Sequence, residues 1–119
     1  SKVTEDNIFN ITSGIEDSDE ITFDNYRTIT GIAKEGTIIE ITNILNSEEE
    51  KNYKIEVGSF GVFSIDIELF TGYNNIEIKA TEDKTTQNIK QSIRKLDQNV
   101  KEKISSKELV LPGDSILMQ

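Results

Sequence analysis

The run Phe63-Ser64-Ile65-Asp66-Ile67-Glu68-Leu69 alternates apolar and polar residues without a break. On a strand, Phe63, Ile65, Ile67 and Leu69 share one face, and Ser64, Asp66 and Glu68 share the other. A helix would scatter the four hydrophobes around its circumference. The run therefore calls for a sheet with one face in a core and one in water. Composition points the same way. There are 19 Ile, 5 Val and 11 Thr, so 35 of 119 residues are β-branched, against 2 Ala and 6 Leu. Such side chains are stiff at χ1 and suit a pleated surface better than a helix.

The same alternation recurs along the chain. Over 75–81, Ile76, Ile78 and Ala80 alternate with Glu77, Lys79 and Thr81. The link Thr71-Gly72-Tyr73-Asn74-Asn75 is dense in turn formers, so 63–81 reads as strand, short turn, strand: a hairpin. An earlier pair is Tyr26–Ala33 and 37–44, joined by the tight turn Lys34-Glu35-Gly36. Ile29, Gly31 and Ala33 share one face of the first; Ile39 and Ile41 share one face of the second. A polar loop over 46–52 leads to a short strand through Tyr53, Ile55 and Val57, and Gly58-Ser59-Phe60-Gly61 turns the chain into the Phe63 run. Over 7–12 a first strand can run through Ile8 and Asn10 or through Phe9 and Ile11, and Ile21 and Phe23 add a further short one. Short strands with turn signals every ~8–12 residues predict an all-β sandwich or barrel.

The picture changes near residue 84. Residues 1–83 carry net charge −12 and residues 84–119 carry +3. Over 86–105, Ile89, Ile93, Leu96, Val100 and Ile104 make an apolar stripe at helical spacing, and Asp97 and Lys101 make a favourable i,i+4 pair. Local pattern alone favours a helix here.

At 119 residues the chain is one domain's worth, long enough for a core without disulfides or metal. The net charge of −9 disfavours nucleic acid and anionic membrane surfaces. His and Cys are both absent, which removes imidazole bases, thiol nucleophiles and every metal site built from N or S ligands. No apolar run approaches the ~20 residues a membrane helix needs. No signal peptide is visible, so export signals and anchors are expected outside this stretch.

Six short motifs fall in a definite order: Ile29-Thr30-Gly31, Lys34-Glu35-Gly36, Thr37-Ile38-Ile39-Glu40-Ile41, Gly61-Val62-Phe63-Ser64, Gly72-Tyr73-Asn74-Asn75-Ile76 and Ala80-Thr81-Glu82-Asp83. Together, over about residues 19–97, they resemble a bacterial immunoglobulin-like (Big-type) domain of Gram-positive surface or secreted proteins. The resemblance implies a sandwich of about seven strands. In it Gly31 allows close backbone approach, Gly36 makes a tight turn, Phe63 plugs the core, and Asn74 or Asn75 bonds the hairpin backbone. It also implies a closing strand over roughly 87–96, against the local helical pattern, followed by a helix or irregular segment over 97–105. The corner Asp83-Lys84-Thr85-Thr86-Gln87-Asn88 lacks the family's Gly.

Chemical features weigh against enzymatic function. Glu16-Asp17-Ser18-Asp19-Glu20 and Glu48-Glu49-Glu50 are carboxylate-rich, but neither has the spacing of a calcium loop, and solvated loops explain them. Asp66 and Glu68 alternate on an exposed face, with no sign of the cleft a glycosidase pair needs. No spacing of Lys and Asn identifies an isopeptide crosslink. Leu111-Pro112-Gly113-Asp114-Ser115-Ile116 resembles the opening of a LysM module, too close to the last residue for a complete one. Tyr73, Phe70 and Tyr53 are the candidate ligand contacts, as stacking platforms for sugar; packing at loop ends is the simpler explanation. The expected organisation is an N-terminal strand and acidic loop over 1–20, a sandwich over 21–97 and an extension over 98–119. The expected role is a non-enzymatic spacer or adhesion module without cofactor, on the bacterial surface or secreted. Its partners would be neighbouring domains and a host protein or glycan. The alternative is a carbohydrate-binding accessory module of a secreted glycan-active enzyme.

Overall fold

A computed structural model describes residues 7–15, 19–97 and 99. These residues form eight strands: β1 (Phe9–Ser13), β2 (Glu20–Thr22), β3 (Tyr26–Ala33), β4 (Ile38–Leu45), β5 (Glu50–Glu56), β6 (Val62–Glu68), β7 (Gly72–Glu82) and β8 (Thr85–Lys95). They form two sheets, a three-stranded one in the order β1-β3-β6 and a five-stranded one in the order β2-β8-β7-β4-β5. Neighbours are antiparallel except β2, which runs parallel to β8. The first two strands thus divide between the sheets, β1 beside β3 and β2 beside β8. This is an all-β, immunoglobulin-like sandwich. Among the described residues the small sheet ends at β6, without the fourth strand that the constant-type arrangement places there.

The alternation seen in the sequence sets the two inner faces. Phe63, Ile65, Ile67 and Leu69 are buried from one sheet, and Ile39, Ile41, Ile76, Ile78, Ala80 and Ile93 from the other. Ile29 joins them from β3 and Phe9 from β1. Full burial of one such side chain contributes about 1.5–3 kcal/mol. β1 runs with Phe9 inward and Ile11 half-buried, which selects the second of its two parities. The strand expected ahead of the sandwich core is therefore one of its members.

The hairpin expected over 63–81 is not a hairpin. β6 lies in the small sheet and β7 in the large one, so 69–71 carries the chain across the sandwich. The turn Lys34-Glu35-Gly36 does the same between β3 and β4. Alternation fixes which residues face the core but not which strand pairs with which, and a short link serves either purpose. The true hairpins are β4–β5 and β7–β8. The latter closes through Asp83-Lys84, between the paired Glu82 and Thr85. Asp83 takes a φ of 53° there, the left-handed region that Asp tolerates better than most residues.

Strand, not helix, holds over Thr85–Lys95, where β8 pairs with β7 along its whole length. Ile89 and Ile93 are four apart, a spacing that fits a helical stripe and also a period of two. The residue between them on the inner face is Gln91, which is buried, and this polar residue masks the alternation. Most of the 97–105 segment, and the extension beyond it, lies outside the described residues.

Candidate interaction surface

The three aromatic candidates do not converge. Tyr73 lies on β7 between the inward Asn74 and the chain crossing, and its ring faces out from the large sheet, 47% exposed. Its cross-strand neighbour is Arg94, whose guanidinium sits 5.6 Å from the ring centroid. Ile21 of β2 pairs with Arg94 in turn, so Ile21, Arg94 and Tyr73 form one row across three strands on the outer face. Such a cation–π pair contributes about 0.5–1 kcal/mol at an exposed position.

Tyr53 points the other way. It is half-buried on the inner face of β5, opposite Ile41, and its hydroxyl accepts the backbone N–H of Glu68 at 3.0 Å. Phe70 is half-buried in the crossing, with the Lys51 ammonium 5.6 Å from its ring centroid. Tyr53 and Phe70 therefore belong to the seam between the sheets, while Tyr73 stands on the opposite face of the large one.

A buried amide pair organises that seam. Asn74 is fully buried, and its amide nitrogen lies 2.9 Å from Phe70 O, 3.2 Å from Gly72 O and 3.1 Å from Ile93 O. Its carbonyl accepts Phe70 N–H and the Asn43 side-chain amide, both at 2.9 Å. Asn43, also fully buried, donates in addition to Glu68 O at 3.3 Å. Asn74 thus bonds the backbone of the crossing; the resemblance implied a bond of this kind from Asn74 or Asn75, but to a hairpin, which this link is not. Asn43 was hidden in the sequence, because a buried Asn reads there as a break in alternation.

Gly31 and Phe63 also sit as that resemblance implied. A Cβ on Gly31 would lie 2.5 Å from Phe63 Cζ and 2.6 Å from Asn10 O, so only glycine lets the ring lie against β3. Gly36 takes a φ of 91° in its turn.

The acids are dispersed. Glu20 is in an ion pair with Arg27, which also donates to Gly14 O at 2.8 Å and so ties the β1–β2 connection to β3. Glu16 and Asp17 lie outside the described residues. Glu48, Glu49 and Glu50 are exposed, and Glu49 meets Lys51 at 3.3 Å. Asp66 accepts the Thr28 hydroxyl at 2.6 Å on the outer face of the small sheet. Among the described residues no three carboxylates gather as a cation site would require. No described helix is long and apolar enough to cross a membrane. The middle of the large outer face is a field of opposite charges, with Glu40 and Lys79 paired at 3.6 Å.

Compared with models of known protein families and with characterised protein sequences, the chain matches none.

Proposed function

We propose that this domain is a non-enzymatic spacer or adhesion module of a bacterial surface or secreted protein, of the Gram-positive type its motifs resemble. One observation carries the reading. β1 starts at the end of the sandwich where Phe9 pairs with Ala33, and β8 finishes at the opposite end, where Lys95 pairs with Gly72. A load applied to the two ends therefore runs along the strands. The hydrogen bonds between the parallel β2 and β8 lie across that load and are sheared together rather than unzipped singly. An arrangement of this kind suits a rod element between neighbouring domains. Among the described residues nothing covers either outer face, which suits contact with a host protein or glycan.

The test is single-molecule extension with handles at the two ends. Cooperative rupture, lengthening the chain by about 270 Å as residues 9–95 become extended, is the expected result. Smooth extension without a rupture event would overturn the spacer role.

A second reading, a carbohydrate-binding accessory module, is favoured by the exposed Tyr73 ring beside Arg94. Specific retention on a polysaccharide, abolished by Tyr73→Ala without loss of folding, would establish it in place of a pure spacer.

A further inference from the structure

Among the described residues no strand pairs with the outer edge of β6, and the backbone says how that edge is open. In the pairing of β3 with β6, Ala33 N–H donates to Gly61 O at 3.0 Å and Leu69 N–H donates to Asn25 O at 2.9 Å. With the register Gly31↔Phe63 and Ile29↔Ile65, the odd-numbered residues of β6 are those bonded to β3. The even-numbered residues, Val62, Ser64, Asp66 and Glu68, direct both N–H and C=O away from it. Glu68 is satisfied from the large sheet, its N–H by the Tyr53 hydroxyl at 3.0 Å and its C=O by Asn43 at 3.3 Å. No described group bonds the backbone of the other three. All three residues are exposed, and Val62 is 57% so.

The edges at β1 and β5 are less available. Ile8 N–H, just ahead of β1, is bound by the Gln87 side chain of β8 at 2.7 Å. The outer edge of β5 carries Glu50, Lys54 and Glu56, charges of both signs that oppose pairing. Along β6 the charges are of one sign, Asp66 and Glu68, in a stretch of chain with net charge −12. Tyr53 and the next inner-facing residue of β5, Ile55, stay only half-buried.

We propose that β6 accepts an added strand from a partner protein. The added segment is extended and runs antiparallel, exchanging paired hydrogen bonds with Val62, Ser64 and Asp66. Its inward side chains are apolar, and it carries Lys or Arg opposite Asp66. Main-chain bonds supply affinity and the alternate side chains supply selection. The pairing must stop before Glu68, whose edge groups are already used.

The experiment uses the whole chain and two synthetic probes, acetyl-Lys-Ile-Thr-Val-Thr-Lys-amide and its counterpart with both Lys replaced by Glu. Amide NMR shifts at Val62, Ser64 and Asp66 should move on adding the Lys probe, and affinity for the Glu probe should be about two- to fivefold lower. Asp66→Lys should reverse that order. Ser64→Pro removes one edge donor without touching the bonds to β3, so it should abolish binding while the melting curve stays cooperative. The proposal is overturned if these amides do not respond at about millimolar probe, or if Ser64→Pro binds as well as the parent. It is equally overturned if the same amides shift with protein concentration alone, which would make a second copy the occupant.

Discussion

The side-chain amide of Asn43 donates to the carbonyl of Asn74 at 2.9 Å, joining β4 to β7 inside the sandwich. Through this pair the crossing that leaves β6 is fastened to both sheets. Asn43 reaches Glu68 O, and Asn74 reaches the backbone of Phe70, Gly72 and Ile93.

Removing Asn74 should therefore be costly. Asn74→Ala leaves several buried polar groups without a partner, and unfolding in urea should show a loss of about 3–5 kcal/mol. Asn75→Ala should lose less than about 1 kcal/mol, because its one bond to Ile44 O is 3.4 Å long and exposed. Equal losses for the two variants would refute the assignment of the lock to Asn74.

Tyr53→Phe should remove one hydrogen bond and little packing. The expected loss is about 1 kcal/mol. The sharper readout is amide hydrogen exchange. In the parent, Phe63, Ile65 and Ile67 should be protected, Val62, Ser64 and Asp66 should exchange fast, and Glu68 should be the protected exception. In the variant Glu68 should join the fast set. Protection of Glu68 that survives Tyr53→Phe would show that the phenol is not its partner.

Gly31→Ala places a methyl against Phe63 and against the backbone of Asn10. Overpacking of this kind costs about 1–3 kcal/mol. A double-mutant cycle with Phe63→Leu should recover part of it, since the ring can be shortened. The clash with Asn10 O should remain, so full recovery would contradict the geometry.

The Tyr73 and Arg94 pair should couple weakly. A cycle of Tyr73→Ala and Arg94→Ala, read by thermal melting, should give about 0.5–1 kcal/mol. Coupling above that range would mean the pair is a structural element rather than a surface feature.

Much of this was legible in the chain itself. The inward faces of β3, β4, β6 and β7 follow from which residues alternate, because a period of two leaves one choice of parity once the hydrophobes are clustered. The close approach at Gly31 was implied by the resemblance of its motif, and the fold places the Phe63 ring against it. The candidate surface was less so. Tyr73, Phe70 and Tyr53 look alike as aromatics near loop ends, yet they lie on different sides of one sheet. Asn43 gave no signal, because its role depends on Glu68 and Asn74, far away in sequence.

By itself, the amino-acid sequence determined that this protein is all-β and which apolar side chains of β3, β4, β6 and β7 face its core. The reason is local: alternation and β-branching act through neighbouring residues. Over 85–95 the local pattern favoured a helix and the resemblance implied a strand, and pairing with β7 makes it strand. Tertiary structure alone decided that β6 and β7 part to different sheets. It also decided that Glu68 is bonded from the large sheet, while no described group bonds the edge groups of Val62, Ser64 and Asp66. Those outcomes depend on hydrogen bonds between distant strands, and period and propensity are silent about partners that far apart.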